Sequence, residues 1–225
     1  MSLILQLETA TRSCSVALAE NGVLLAKKEK NEANIHAQSI TLFIEELMQS
    51  CGKAFTDLSA VAVSMGPGSY TGLRIGVSAA KGLCYALDIP LIAVSTLASM
   101  ASAKQNQTQF NTLLCPMIDA RRMEVYMALF DQNLNLKVPV KAQILDEQTF
   151  DEFLNDHQIL IFGDGADKCK GLFTAPEFHF NEHVNSAADM TPLAYQAYQA
   201  QNFVDLAYFE PFYLKDFIAT QPKNA

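Results

Sequence analysis

Residues 64–83, SMGPGSYTGLRIGVSAAKGL, constrain this chain more than any other stretch, because a glycine-rich turn runs straight into a thinned helix. Gly72, Gly76, Ala80 and Cys84 recur every fourth residue, so one face of that helix carries almost no side-chain bulk. A glycine in a helix interior costs on the order of 1 kcal/mol relative to alanine. Two of them need an offsetting contact, and close approach by another backbone is the usual one. The neighbour is either this chain's own sheet or helix, or a second polypeptide. A flat, small-residue, weakly charged face suits an interface core, with Arg74 and Lys81 at its rim.

The same stretch fails as a phosphate loop. A Walker loop needs Gly-x-x-x-x-Gly-Lys-Ser/Thr, but Gly66 and Gly72 are followed here by Leu73 and Arg74. A dinucleotide fingerprint needs Gly-x-Gly-x-x-Gly, and Thr71 stands at the third glycine. Pro67 removes an amide donor where a phosphate would want one. An anion at the start of the helix is the weaker use that survives.

Around this stretch the chain alternates. LILQLET and SCSVALAENGVLLAKKEK read as three strands, with Asn21-Gly22 as a hairpin turn. Ile40, Phe43, Ile44, Leu47, Met48 and Cys51 form a helical stripe, with Asn34 as its N-cap and Gly52 as its stop. LSAVAVSM and PLIAVST are strands, and LASMASAK is a short helix. The polar tract 104–111 marks a lobe boundary. Beyond it, strand, tight turn and strand cover TLLCPMIDARRMEVYMALFD. DEQTFDEFLND reads as a helix, QILIFGDGADKCKGLF as a strand running into a helix, and SAADMTPLAYQAYQAQ as the last helix.

With 225 residues, the chain can bury the core of one large domain or two lobes. Its net charge of −8, from 16 basic and 24 acidic residues, argues against holding nucleic acid unaided. The N-terminus reads as a strand and not a leader, and no apolar run is long enough to span a bilayer. Five scattered cysteines, Cys14, Cys51, Cys84, Cys115 and Cys169, fit reduced thiols in a cytoplasm, and neither a disulfide framework nor a zinc site.

LQLETATRSCSVAL, SMGPGSYTGLRIGVSAAKGL, PLIAVSTLASMA, IDARRMEVY, GDGA and PFYLKD occur in order along almost the full length. Together they resemble the TsaB (YeaZ) family, bacterial proteins required to make threonylcarbamoyladenosine in tRNA. The resemblance implies an α/β, two-lobed, actin-like ASKHA (ribonuclease H-like) fold with mixed sheets flanked by helices. The lobes would be 1–104 and 109–225, with the last helix and tail packing back on the first. The resemblance also implies an accessory scaffold that performs no reaction alone. Its partners would be the catalytic subunit TsaD, in a heterodimer, and the ATPase TsaE. It would pair with itself when isolated and meet tRNA indirectly. The expected docking residues are Gly72, Arg74, Gly76, Ala80, Lys81 and Cys84 on one helix, and Ile40, Phe43 and Leu47 on the other.

No cofactor is expected in this chain; ATP and a divalent metal are expected on the partner subunits. TsaD carries Asn-His-Leu-Glu-Gly-His after the corresponding strand, with two metal-binding histidines. Here Thr96 and Met100 stand in their places, a hydroxyl and a thioether that replace imidazoles poorly. The first phosphate hairpin of such folds usually has glycine where this chain has Ala10, and the second, IDARRM, has none. Glu8 replaces the family's usual aspartate. Asp119, Arg121, Arg122 and Glu124 cluster at a hairpin and read as a solvated turn; the resemblance adds that Asp119, Arg121 and Glu124 line a cleft or meet a partner. Gly163 and Gly165 belong either to an adenine-side loop or to a plain strand-to-helix turn.

The alternative function is a stand-alone ASKHA-type ATPase or a glycoprotease-like peptidase. His179 and His183 match His-x-x-Glu-His. On an extended segment they would sit ~13 Å apart and could not share an ion. His36, at the start of the amphipathic helix, reads as solvent-facing or capping.

Overall fold

A computed structural model describes residues 1–107 and 111–215. The end of the polar tract (108–110) and residues 216–225, including the last residue of PFYLKD, lie outside the described residues. Two five-stranded sheets carry the chain. In the first, β1 (Leu3–Glu8), β2 (Ser13–Glu20) and β3 (Val23–Asn31) form an antiparallel meander. β4 (Ala60–Gly66) and β5 (Leu91–Ser95) then add in parallel on the other side of β1, giving the order β3-β2-β1-β4-β5. The second sheet repeats this plan. β6 (Thr112–Asp119), β7 (Glu124–Phe130) and β8 (Leu136–Ile144) form the meander, and β9 (Gln158–Phe162) and β10 (Phe178–Asn181) the parallel side.

The helices follow from the apolar stripes. α1 (His36–Ser50) and α2 (Tyr70–Leu87) bury Ile40, Phe43, Ile44, Leu47, Leu73 and Val77 against one face of the first sheet. α1 begins one residue later than the sequence predicts. Ile35 occupies the cap position without a side-chain hydrogen bond, and Asn34 instead takes a φ of +64° in the turn before it. α2 is capped at its start by Ser69, whose hydroxyl accepts the Gly72 N–H at 3.3 Å. It ends at Asp88 in the left-handed region. α3 (Thr96–Lys104) leaves the first sheet yet packs Leu97, Met100 and Ala101 on the second. α4 (Thr191–Gln199) returns from the second sheet, and its Ala194, with Met190 just before it, covers Ile4, Ala62 and Ile92 on the first. The inner faces of the two sheets therefore exchange helices.

Two expectations fail in the second half. Residues 147–156 form consecutive turns and not a helix. Phe150 is pulled into the core, where it meets the rings of Phe173 and Phe178. After β9 comes a short 3-10 turn, Ala166–Cys169, in place of a helix. β8 went unrecognised in the sequence because Pro139 interrupts it; as an edge strand it tolerates the missing amide.

The thinned face of α2 is covered by this chain's own β1–β2 loop. A methyl group at Gly72 would lie 2.1 Å from the Thr9 carbonyl oxygen, and one at Gly76 2.2 Å from Thr9 Oγ1. Gly82, on the opposite face, has nothing within 4 Å of where its methyl would stand. The same substitution should thus have opposite signs on one helix. Gly82→Ala should stabilise by up to ~1 kcal/mol, whereas Gly72→Ala should destabilise by ~1–3 kcal/mol through overpacking against backbone. Urea denaturation of the two variants checks this; equal shifts would refute the contact.

Candidate functional site

In open α/β sheets, ligands sit beyond the carboxyl ends of the parallel strands. Here those ends are Glu8, Gly66 and Ser95 in one sheet and Asp119, Phe162 and Asn181 in the other. The β1–β2 loop and the β6–β7 turn project from the same ends.

The first loop is folded in on itself. Glu8 is buried, and its Oε1 accepts the Ala10 N–H at 2.6 Å and the Ser64 hydroxyl at 3.0 Å. Burial pushes its carboxyl up to about 7, against the opposing pull of those two donors. Thr9 fills the groove left by the α2 glycines. The acid faces the interior.

The second turn brings the expected cleft residues together. Arg121 and Arg122 take φ values of +70° and +54°, a conformation that hairpin turns usually give to Asn-Gly. Asp119 holds it: its Oδ1 accepts the Arg121 N–H at 2.6 Å and the Lys168 ammonium at 2.6 Å. Lys168 also donates to the Glu124 carbonyl at 3.0 Å. Gly163 and Gly165 seat the next turn against β6. A methyl at Gly163 would lie 2.3 Å from the Met117 carbonyl oxygen, and one at Gly165 3.0 Å from Met117 Cβ. The close packing of both glycines is thus accounted for within the chain.

The residues at the metal positions do not fit a metal. Thr96 Oγ1 accepts the Gly66 N–H at 3.2 Å, and Met100 is buried among Leu97, Ile118 and Phe162. Among the described residues, no group of three His, Cys, Asp or Glu side chains is arranged to hold an ion. His179 lies exposed on β10, while His183 lies beyond its end, 3.1 Å from Asp189 and edge-on to Phe162. His36 is buried, contrary to expectation, with Nε2 3.2 Å from the Ser13 carbonyl oxygen. Burial raises the thiols of Cys14, Cys84 and Cys169 to about 11, which leaves them protonated and unreactive.

The expected docking residues need correction. Gly72, Gly76, Ala80 and Cys84 are buried within the chain, as are Ile40, Phe43 and Leu47. They build the contact between α1, α2 and the sheet. Arg74 remains exposed and Lys81 partly so. The exposed positions also include Gln38, Leu42, Glu45 and Gln49 on α1, and Ser78, Gly82 and Tyr85 beside Arg74 on α2. Leu42 is 49% exposed and Tyr85 84%. Their helical spacing is readable in the sequence.

Glu8 makes stability depend on pH. Its folded value of about 7 lies above its ordinary value of 4.5, so its contribution is complete below pH 4.5 and is lost as pH rises to 7. The loss amounts to ~3 kcal/mol. Glu8→Gln keeps an acceptor for Ala10 and carries no charge. The stability difference between Glu8→Gln and the parent, from urea curves at pH 5 and pH 8, should move in the variant's favour by about that amount. A difference independent of pH would contradict the buried carboxyl.

A family model described as TsaD, tRNA N6-adenosine threonylcarbamoyltransferase, matches residues 25–208. The chain is 31% identical to the tRNA threonylcarbamoyladenosine biosynthesis protein TsaB of Escherichia coli over 96% of each chain. It is 38% identical to the Bacillus subtilis TsaB over 56% of this chain and 54% of that one. Its structure resembles YeaZ from Pseudomonas aeruginosa with a TM-score of 0.80 at 28% identity, covering 95% of this chain and 100% of that one. The two mixed sheets with exchanged helices are the two-lobed actin-like, ASKHA arrangement, and the chain belongs to the TsaB (YeaZ) family of tRNA threonylcarbamoyladenosine biosynthesis proteins.

Proposed function

We propose that this chain is an accessory, non-catalytic subunit of the machinery that makes threonylcarbamoyladenosine in tRNA, and that it docks on and supports the catalytic subunit TsaD. The observation that carries this reading is the filled crevice. Thr9 and the inward-turned Glu8 occupy the first loop, Lys168 ties down the second, and Thr96 and Met100 are buried in the positions of the metal ligands. Such a site lacks the open, preorganised polar groups that catalysis needs, which also weighs against a stand-alone ATPase or peptidase.

The exposed face of α1 and α2 supports the docking role. Leu42 and Tyr85 stand out from a surface of small and polar residues that includes Ser78 and Gly82, and exposed tyrosines are frequent binding hot spots. In this reading, ATP and the divalent metal reside on TsaD and TsaE. The tRNA is met through the complex in the cytoplasm, and the chain pairs with itself when TsaD is absent. No helix among the described residues is long and apolar enough to cross a membrane.

The test is size-exclusion chromatography and calorimetry of this chain with its TsaD. Gly82→Arg adds bulk and charge to open surface, and Tyr85→Ala removes the aromatic. Each should weaken the complex at least about tenfold, the equivalent of ~1.4 kcal/mol, while thermal melting of the free chain stays unchanged or rises. Omitting the chain should also abolish modification in a reconstituted reaction. A complex indifferent to both substitutions would sink the docking face; turnover of ATP by the isolated chain would sink the non-catalytic role.

A further inference from the structure

Beyond α4 the chain runs back across the molecule. Val204 pairs with Leu91 at the free edge of β5, and Val204, Leu206 and Phe209 pack against the first core. Asp205 Oδ1 accepts the N–H groups of Ala207 and Tyr208 and fixes the next turn, and Lys81 donates to the Ala207 carbonyl at 3.2 Å. The segment then crosses the carboxyl end of β4. The Phe212 N–H donates to the Met65 carbonyl at 2.7 Å. The Phe212 carbonyl lies 2.6 Å from where a methyl at Gly66 would stand, and Gly66 has a φ of +112°. The Tyr213 ring stacks obliquely on Tyr70, with centroids 4.7 Å apart, and its hydroxyl accepts the Arg74 Nε–H at 3.3 Å. Two residues later, Lys215 pairs with Glu124, the first residue of β7 in the other sheet.

We propose that residues 211–215 form a latch across the crevice, holding the β6–β7 turn of the second lobe against the start of α2 in the first. Three residue steps lead from Phe212 to Lys215, a reach of ~10 Å when extended. The latch thus joins two walls that share no strand. Its ends are unequal. On the first lobe it is held by a backbone hydrogen bond, a ring contact and a hydroxyl; on the second, by one partly exposed ion pair. Exposed pairs are weak and screened by salt. Opening therefore starts at Lys215, while Phe212 stays seated over Gly66 as the pivot. With the latch shut, the chain's own tail lies over the carboxyl ends of the strands, and the turn bearing Arg121 and Arg122 is held in place. The inference rests on these contacts alone and stands whether or not the docking reading is correct.

Hydrogen–deuterium exchange on the full chain tests it. Lys215→Met cuts the second-lobe anchor, and Tyr213→Ala loosens the first. Lys215→Met should speed exchange of amides 120–126 about threefold, the size expected of an exposed ion pair, and leave 65–70 and β1 as they were. Tyr213→Ala should speed both 65–70 and 120–126. Concentrated salt should also speed exchange at 120–126 in the parent chain, and by less in Lys215→Met, where only the Asp119–Lys168 pair remains to be screened. Unchanged exchange at 120–126 in both variants would overturn the latch. So would acceleration of β1 equal to that of 120–126.

Discussion

Thr9 seated against Gly72 and Gly76 is the contact on which the first lobe depends. It fixes the end of β1 to the first two turns of α2, and through them fixes α1, which packs beside α2 on the same sheet face. In the same loop the Ala10 carbonyl oxygen accepts the Ser69 N–H at 2.7 Å at the start of the helix, where the positive end of the helix dipole draws negative charge. In a phosphate-binding relative of this architecture an anion would use that attraction. Here a backbone oxygen takes it, and the loop that could have closed around a ligand closes on the protein.

The two sheets share a strand order that the sequence does not betray, and they differ in what covers their outer faces. The first carries two full helices. The second carries consecutive turns over 147–156 and the 3-10 turn Ala166–Cys169, packed through Phe150, Phe153 and Phe173. A helix offers a regular row of exposed side chains; a string of turns does not. The duplicated plan therefore leaves one lobe with a flat helical exterior, and the proposed docking face lies there.

Local signals in the sequence were reliable where they concerned a single element. Asn21 and Gly22 take φ values of +52° and +79°, as their turn requires, and Gly52 ends α1 with a φ of +61°. The stripe of α1 reads directly as its buried face. What escaped was anything that depended on distant residues. The spacing of Gly72, Gly76 and Ala80 says that the face is covered; it cannot say that one threonine, more than sixty positions earlier, covers it. Glu8 looks like the polar end of a strand until β4 brings Ser64 against it. Phe150, Phe153 and Leu154 have helical spacing, yet burial of the Phe150 ring between Phe173 and Phe178 wins over propensity. The family resemblance supplied the fold, and the filled crevice required coordinates.

The return crossing sets polar contacts beside its apolar cluster of Met190 and Ala194 on Ile4, Ala62 and Ile92. On the return crossing, Ser186 donates to Glu29 at 2.7 Å, the Ala187 N–H to Ser15 at 3.0 Å, and Thr191 to Gln6 at 2.8 Å. These bonds lie near His183 and Asp189, half-buried and 3.1 Å apart. Apolar packing resists deformation evenly, whereas hydrogen bonds are directional and are lost at modest cost once water can replace them. The Thr9 contact that shapes the proposed docking face is made apart from these crossings, between the end of β1 and α2, so the face is set by the first sheet and its own helices.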